Sequence, residues 1–193
     1  MKLDNQQRRL EDDLNWLGGI IDGEGSVTAT VGHTKTGKGH VYEHRRYIPL
    51  IHIVNTDKGL ISEIKRVLEE MEIPCYINVR SGSKKNPHWK MKTEFMVVGM
   101  KRCLNACNKL LPYLRSEKKD RMEAMKEWIE YRLASPKIPF STKGYGGLKQ
   151  AYTDVDWELL KRIRQSSLPL RGHTSSSTNK VDEDMVQYTA KAA

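Results

Sequence analysis

Apolar residues recur at helical spacing near the start of the chain. Leu10, Leu14, Leu17 and Ile21 share one face of a helix predicted over residues 6–21, which Gly23 and Gly25 should end. The period then changes to two. Val27, Ala29 and Val31 alternate with Ser26, Thr28 and Thr30, as a half-buried strand requires. A Gly/Lys-rich loop, Gly32 to Gly39, leads to a second strand over Tyr47–Val54. Leu60, Ile64, Val67, Leu68 and Met71 then line one face of a helix over 57–72, which stops before Pro74.

The same sequence of elements repeats. Tyr76–Arg80 reads as a strand, a polar loop follows, and Trp89–Val98 returns. In that return, Trp89, Met91, Thr93, Phe95 and Val97 should face the core, opposite Lys90, Lys92, Glu94 and Met96. Helices are predicted over Lys101–Leu111 and Ser116–Leu133. A loop with Pro136, Pro139 and the Gly144–Gly147 cluster precedes a short helix at 154–165. The Ser-rich remainder has too few apolar residues to predict order. This order predicts an α+β fold: an αββαββα core with a four-stranded antiparallel sheet, helices on one face, and a C-terminal helical extension. The expected division is a core over 1–135, a loop and short helix over 136–165, and a flexible tail over 166–193.

Charge adds a partner class. The 193 residues carry a formal charge of +9. Between Gln165 and the end, Arg171, Lys180 and Lys191 balance Asp182, Glu183 and Asp184, so the excess belongs to the folded part. A basic surface favours a polyanion. The sheet face away from the helices should carry Ser26, Thr28, Thr30, Arg46, His52, Asn78, Arg80, Lys90, Lys92 and Glu94, donors and acceptors suited to base edges in DNA. The three cysteines, Cys75, Cys103 and Cys107, are too few for a disulfide scaffold and read as buried thiols. No apolar run suits a membrane span and no signal peptide is evident, so an intracellular location is expected.

The segment Leu17-Gly18-Gly19-Ile20-Ile21-Asp22-Gly23-Glu24-Gly25 is physically odd. Two glycines inside a helix cost about 1 kcal/mol each relative to alanine, which is reasonable where another backbone approaches closely. Asp22 and Glu24 fall at the negative end of the helix dipole, a repulsion that a bound cation would relieve. Hard divalent ions take such carboxylate and carbonyl oxygens.

This nonapeptide resembles the LAGLIDADG motif of homing endonucleases. Leu17, Gly19, Ile21, Asp22 and Gly25 agree with it residue for residue, and Gly18, Ile20, Gly23 and Glu24 are familiar substitutions. The resemblance extends over about residues 10–133, through Ile51–Asp57 and through Leu111-Pro112-Tyr113-Leu114 with Lys118-Lys119. It implies a single-motif enzyme working as a homodimer, its motif helices packed together at an interface of Leu17, Gly18, Gly19 and Asp22. Glu24 and the Gly23 carbonyl would bind Mg2+ (or Mn2+). Asn55 would position water, and either Lys118 or Lys119 would support the transition state. The sheets would form a saddle on double-stranded DNA, and the expected activity is site-specific double-strand cleavage in intron homing. Two alternatives keep the fold. One is an RNA maturase acting on host intron RNA; the other is a DNA-binding regulator that does not cut.

Overall fold

The computed structural model describes residues 5–32, 46–80, 90–135, 138–139, 148–149 and 152–164. Helix α1 (Asn5–Glu24) runs into strand β1 (Gly25–Gly32). Strand β2 (Arg46–Asn55), helix α2 (Lys58–Glu70), strands β3 (Tyr76–Arg80) and β4 (Lys92–Val98) and helix α3 (Met100–Leu110) follow. A 3-10 turn (Leu111–Tyr113) leads to helix α4 (Lys118–Ala134). A short pair, β5 (Ile138–Pro139) and β6 (Leu148–Lys149), precedes helix α5 (Asp154–Arg164).

All four long strands are antiparallel, in the order β1-β2-β4-β3. The alternation read from the sequence sets which way residues point. Val27, Ala29, Ile51, Ile53, Phe95 and Val97 are buried on the helix side, with Leu17, Ile64, Cys103, Met125 and Trp128 among the groups that complete the core. The expected α+β architecture is therefore the one observed. Asp57 caps α2, its carboxylate accepting from Leu60 N at 2.9 Å. Arg66 ties α2 to α1 through both oxygens of Asp13, at 2.8 and 3.1 Å. That guanidinium holds the Asp13 carboxyl below its usual range.

Two local expectations fail. Helix α1 does not stop at Gly23 but continues through Glu24, and the strand begins at the next residue. Gly25 permits this abrupt junction, because a Cβ there would lie 2.8 Å from the backbone of Ile21. Met91 does not enter the core. It precedes β4 and is 55% exposed. Trp89, residues 33–39 of the Gly/Lys-rich loop, most of the loop after Ser135 and the 166–193 tail lie outside the described residues.

The extension's helix shares the main core. Leu159, Leu160 and Ile163 are buried against it. Asp156, fully buried, accepts from Trp128 Nε1 and from Thr153 N, each at 2.8 Å. Asp156 N in turn donates to Thr153 Oγ1 at 3.3 Å, which makes Thr153–Asp156 a capping box for α5. Tyr47, Tyr152 and Trp157 stack beside it, and Tyr47 N donates to the Tyr152 hydroxyl at 2.8 Å. Among the described residues no helix is long and apolar enough to cross a membrane.

Candidate active site

The C-terminal turn of α1 is where distant segments meet. Glu24, its last residue, is exposed to solvent, and the Asn55 amide at the end of β2 donates to its carboxylate. Asn55 is itself fixed, since its side-chain oxygen accepts from Asp57 N at 2.7 Å. The β1–β2 pairing causes this juxtaposition: Gly25 stands opposite Ile53, which places the end of β2 beside the end of α1.

Asp22 has a different task. Its carboxylate accepts from Arg115 N at 2.7 Å, Ser116 N at 3.3 Å and Ser116 Oγ at 2.6 Å. It thus anchors the segment leading into α4. Lys118, at the first turn of α4, reaches back and donates to Ile21 O at 2.9 Å and Asp22 O at 2.7 Å. A cation on the last carbonyls of a helix opposes the negative dipole end. The repulsion expected for Asp22 and Glu24 is therefore relieved in part from within the chain, by the two amide groups and by Lys118. Lys119 is exposed, and its N–H donates to Ser116 O at 2.9 Å. The two lysines thus differ in placement: the Lys118 ammonium contacts the last carbonyls of the motif helix, and Lys119 is exposed on α4.

Of the four residues expected at an interface between chains, three are engaged within this chain and one is open. Leu17 is fully buried in its own core. At Gly18 a Cβ would lie 2.7 Å from Tyr113 O, so the close backbone approach predicted for this glycine occurs inside one chain. Asp22 is likewise held internally, by Arg115 and Ser116. Within one chain, Leu17, Gly18 and Asp22 are thus already engaged, by the core, by Tyr113 and by Arg115 with Ser116. Gly19 is exposed with nothing near its Cβ direction, as is Gly23. They leave an open strip on α1.

The donor set suits a hard cation only in part. Glu24 offers an accessible carboxylate and Gly23 an adjacent carbonyl, both oxygen ligands of the kind such ions prefer. Among the described residues no group of three or more His, Cys, Asp or Glu is placed to hold a metal. The thiols do not contribute: burial pushes Cys103 and Cys107 up to about 12, which keeps them protonated.

The sheet face opposite the helices presents Ser26, Thr28 and Thr30 from β1 and His52 from β2, with Ser26 paired to His52 and His52 to Met96. Asn78 and Arg80 from β3 lie opposite Glu94 and Lys92. Lys90 is exposed just before β4, and Arg46 opens β2 with its side chain outside the described residues. The centre of this face is less polar than expected, because Ile48, Leu50, Val54, Met96 and Val98 occupy it half-buried. His52 sits among them with a buried Nε2 that has no hydrogen-bond partner. Burial, more than any charge, lowers its pKa from the ordinary imidazole range, outweighing the Glu94 carboxylate that favours protonation.

Glu94 departs furthest from expectation. Its side chain is 5% exposed and its oxygens are taken: Arg80 Nε lies 2.9 Å away, Lys92 Nζ 3.0 Å, and Asn78 Nδ2 donates at 3.3 Å. It is not the free acceptor expected on a face suited to base edges. The sequence reading also missed Ser116, Tyr113 and Asp156. The Thr-x-x-Asp spacing at 153–156 was the available signal for the last.

A family profile described as the LAGLIDADG-like domain matches residues 11–110. No curated protein sequence matches the chain. Among solved structures, the homing endonuclease I-TnaI superposes with a TM-score of 0.50 at 13% identity, covering 95% of this chain and 99% of that one. The homing endonuclease I-CvuI, in complex with its target, gives 0.49 at 17% identity over 64% and 69% of the two chains. The archaeal intron-encoded homing endonuclease I-Vdi141I, complexed with DNA, gives 0.45 at 16% identity over 79% and 95%. The profile covers more than half of the sequence and contains the whole nonapeptide Leu17–Gly25, so the chain belongs to the LAGLIDADG-like domain family.

Proposed function

We propose that the protein is a site-specific DNA endonuclease that breaks both strands by metal-dependent phosphodiester hydrolysis and works as a pair of identical chains. The observation that carries this reading is Glu24, an exposed carboxylate at the end of the motif helix, oriented by Asn55 and flanked by Lys118. Family membership and the basic charge of the folded part support it.

In this reading Glu24 and the Gly23 carbonyl hold Mg2+ (or Mn2+), with phosphate oxygens completing the ligand set. Bound there, the ion supplies an activated water and charge neutralisation at the departing oxygen. Asn55 keeps the Glu24 carboxylate aimed outward. Lys118 has three N–H donors, two of them spent on Ile21 O and Asp22 O, which leaves one for a phosphate oxygen at the same place. Asp22 holds Arg115 and Ser116, and so fixes where Lys118 starts. The open strip at Gly19 and Gly23 is the surface on which a second α1 would pack about a two-fold axis. Two such chains would place two Glu24 carboxylates at one seam, with Ser26, Thr28, Thr30, His52, Asn78, Arg80, Lys90, Lys92 and Arg46 extending along the major groove on either side.

The test separates binding from chemistry. Duplexes enriched from a random pool by the wild-type chain are offered to Glu24→Gln. The variant should bind them within a few fold and leave them uncut in Mg2+. Cutting at near wild-type rates would remove Glu24 from the reaction.

A further inference from the structure

Glu94 is an unusual group for a surface that meets a polyanion. It is one of four buried polar or charged residues described, and it lies on the sheet face away from the core. Its neighbours are far more exposed: the Arg80 side chain is 61% accessible and that of Lys92 43%. Both cations approach the carboxylate from flanking positions, Arg80 from the edge strand β3 and Lys92 from two residues earlier on β4. Arg80 approaches the carboxylate with its Nε, at 2.9 Å, while most of its side chain stays accessible. Long cationic side chains ordinarily lose about 2 kcal/mol of rotamer entropy when ordered. Here that ordering is accomplished before any ligand arrives.

Resting on the reading that this face meets DNA, we propose that Glu94 is a positioning residue for sequence recognition: it does not contact bases, but aims the Arg80 fork at a guanine edge and holds Lys92 beside it. A purely electrostatic role makes the opposite demand. The cluster of Arg80, Lys92 and Glu94 has a net charge of +1, two cations less one anion. A surface built for phosphate affinity alone would gain by losing the carboxylate. A guanidinium held beside a buried carboxylate through its Nε, with its side chain still 61% accessible, is instead suited to bidentate readout.

The test compares site-selection profiles of the wild type, Arg80→Ala and Glu94→Gln, all as the full chain. Affinities for the enriched duplex and for a scrambled one are measured between roughly 50 and 200 mM salt. Glu94→Gln should lower discrimination about tenfold at the base pair that Arg80→Ala also relaxes, because a good bidentate pair discriminates by about that factor or more. Affinity for the scrambled duplex should hold or rise, with a steeper salt slope, since the cluster becomes +2. The double variant should discriminate no worse than Arg80→Ala alone. Should Glu94→Gln fail to fold, Glu94→Asp serves: it keeps the charge and salt slope, withdraws the carboxylate from Arg80 by one methylene, and should relax the same base pair. An altered profile for Arg80→Ala with a wild-type profile for Glu94→Gln overturns the positioning role. So does a Glu94→Gln effect confined to a different base pair, which would make Glu94 a reader in its own right. Unchanged profiles for both variants would overturn the assignment of this face to DNA, and the inference with it.

Discussion

Gly18 and Gly19 are adjacent in the sequence and alike in composition, yet the structure gives them different work, and alanine at each position should reveal it. In the middle of a helix, glycine to alanine gains about 1 kcal/mol from backbone entropy. At Gly19 nothing lies within 4 Å of the new Cβ, so the full gain should appear as stability of the single chain. At Gly18 the new Cβ would sit 2.7 Å from Tyr113 O and 3.0 Å from Tyr113 Cβ. The carbonyl belongs to the backbone of a tight turn and cannot swing aside. Overpacking of this kind costs roughly 1–3 kcal/mol. The two variants should therefore differ by about 1–3 kcal/mol, or a few degrees in Tm for a chain of this size. Urea unfolding at several protein concentrations is the assay, because pairing of chains makes apparent stability concentration-dependent. The Gly18→Ala deficit should persist at every concentration, whereas any Gly19→Ala effect on pairing should vary with it. The displaced turn leads directly to Arg115, Ser116 and Lys118, so Gly18→Ala should also slow cleavage. Variants of equal stability, within about 0.5 kcal/mol, would refute the intrachain packing on which this rests.

Other predictions follow from the same geometry. Lys118→Met should reduce cleavage by on the order of 100-fold with little change in DNA binding, and Lys119→Met by much less; the two rates on one duplex check this. Asp156→Ala should destabilise the fold by about 3–5 kcal/mol, read by denaturant midpoint, because it leaves Trp128 Nε1 buried without an acceptor beside the Arg132 charge and removes the cap on Thr153 N. DNA affinity should fall roughly a thousandfold between 50 and 200 mM salt if six or more phosphates are contacted, and a flat response would show that the basic surface is not the binding surface. The lowered His52 pKa means the folded state resists protonation: stability should begin to fall as pH drops below the ordinary 6.5 and be lost through the folded value, and His52→Gln should flatten that part of the profile. Thiol labelling of the native protein should reach the half-buried Cys75 slowly and spare Cys103 and Cys107, with all three reacting in denaturant.

The fold was legible because its signals are periodic and local. Alternation in Val27–Val31 and helical spacing in Leu60–Met71 each report which side is buried, and neither depends on distant residues. Glu24 and Asn55 were legible through the motif and through strand order. The partners of Asp22 were not, since Arg115 and Ser116 lie more than 90 positions away, and two of their three bonds to it come from backbone N–H groups that leave no mark in side-chain chemistry. Gly18 was read correctly as a site of close approach, but a glycine does not say whose backbone approaches. Glu94 misled for a related reason. Alternation places it on the outer face, yet it cannot reveal that Arg80 and Lys92 fold over it and bury it. Met91 failed because β4 starts at Lys92, three residues after the Trp89 that the pattern suggested.

The central claim is that Glu24 sits in a metal-dependent active site for cutting DNA. Its most direct test is incubation of the wild-type chain with an enriched duplex in Mg2+, in Mn2+ and in a chelator, followed by strand analysis on a denaturing gel. The account predicts breaks in both strands at one fixed position with either metal, and intact DNA in the chelator. Duplex that remains whole in both metals at saturating protein, or that is cut equally well in the chelator, would contradict it.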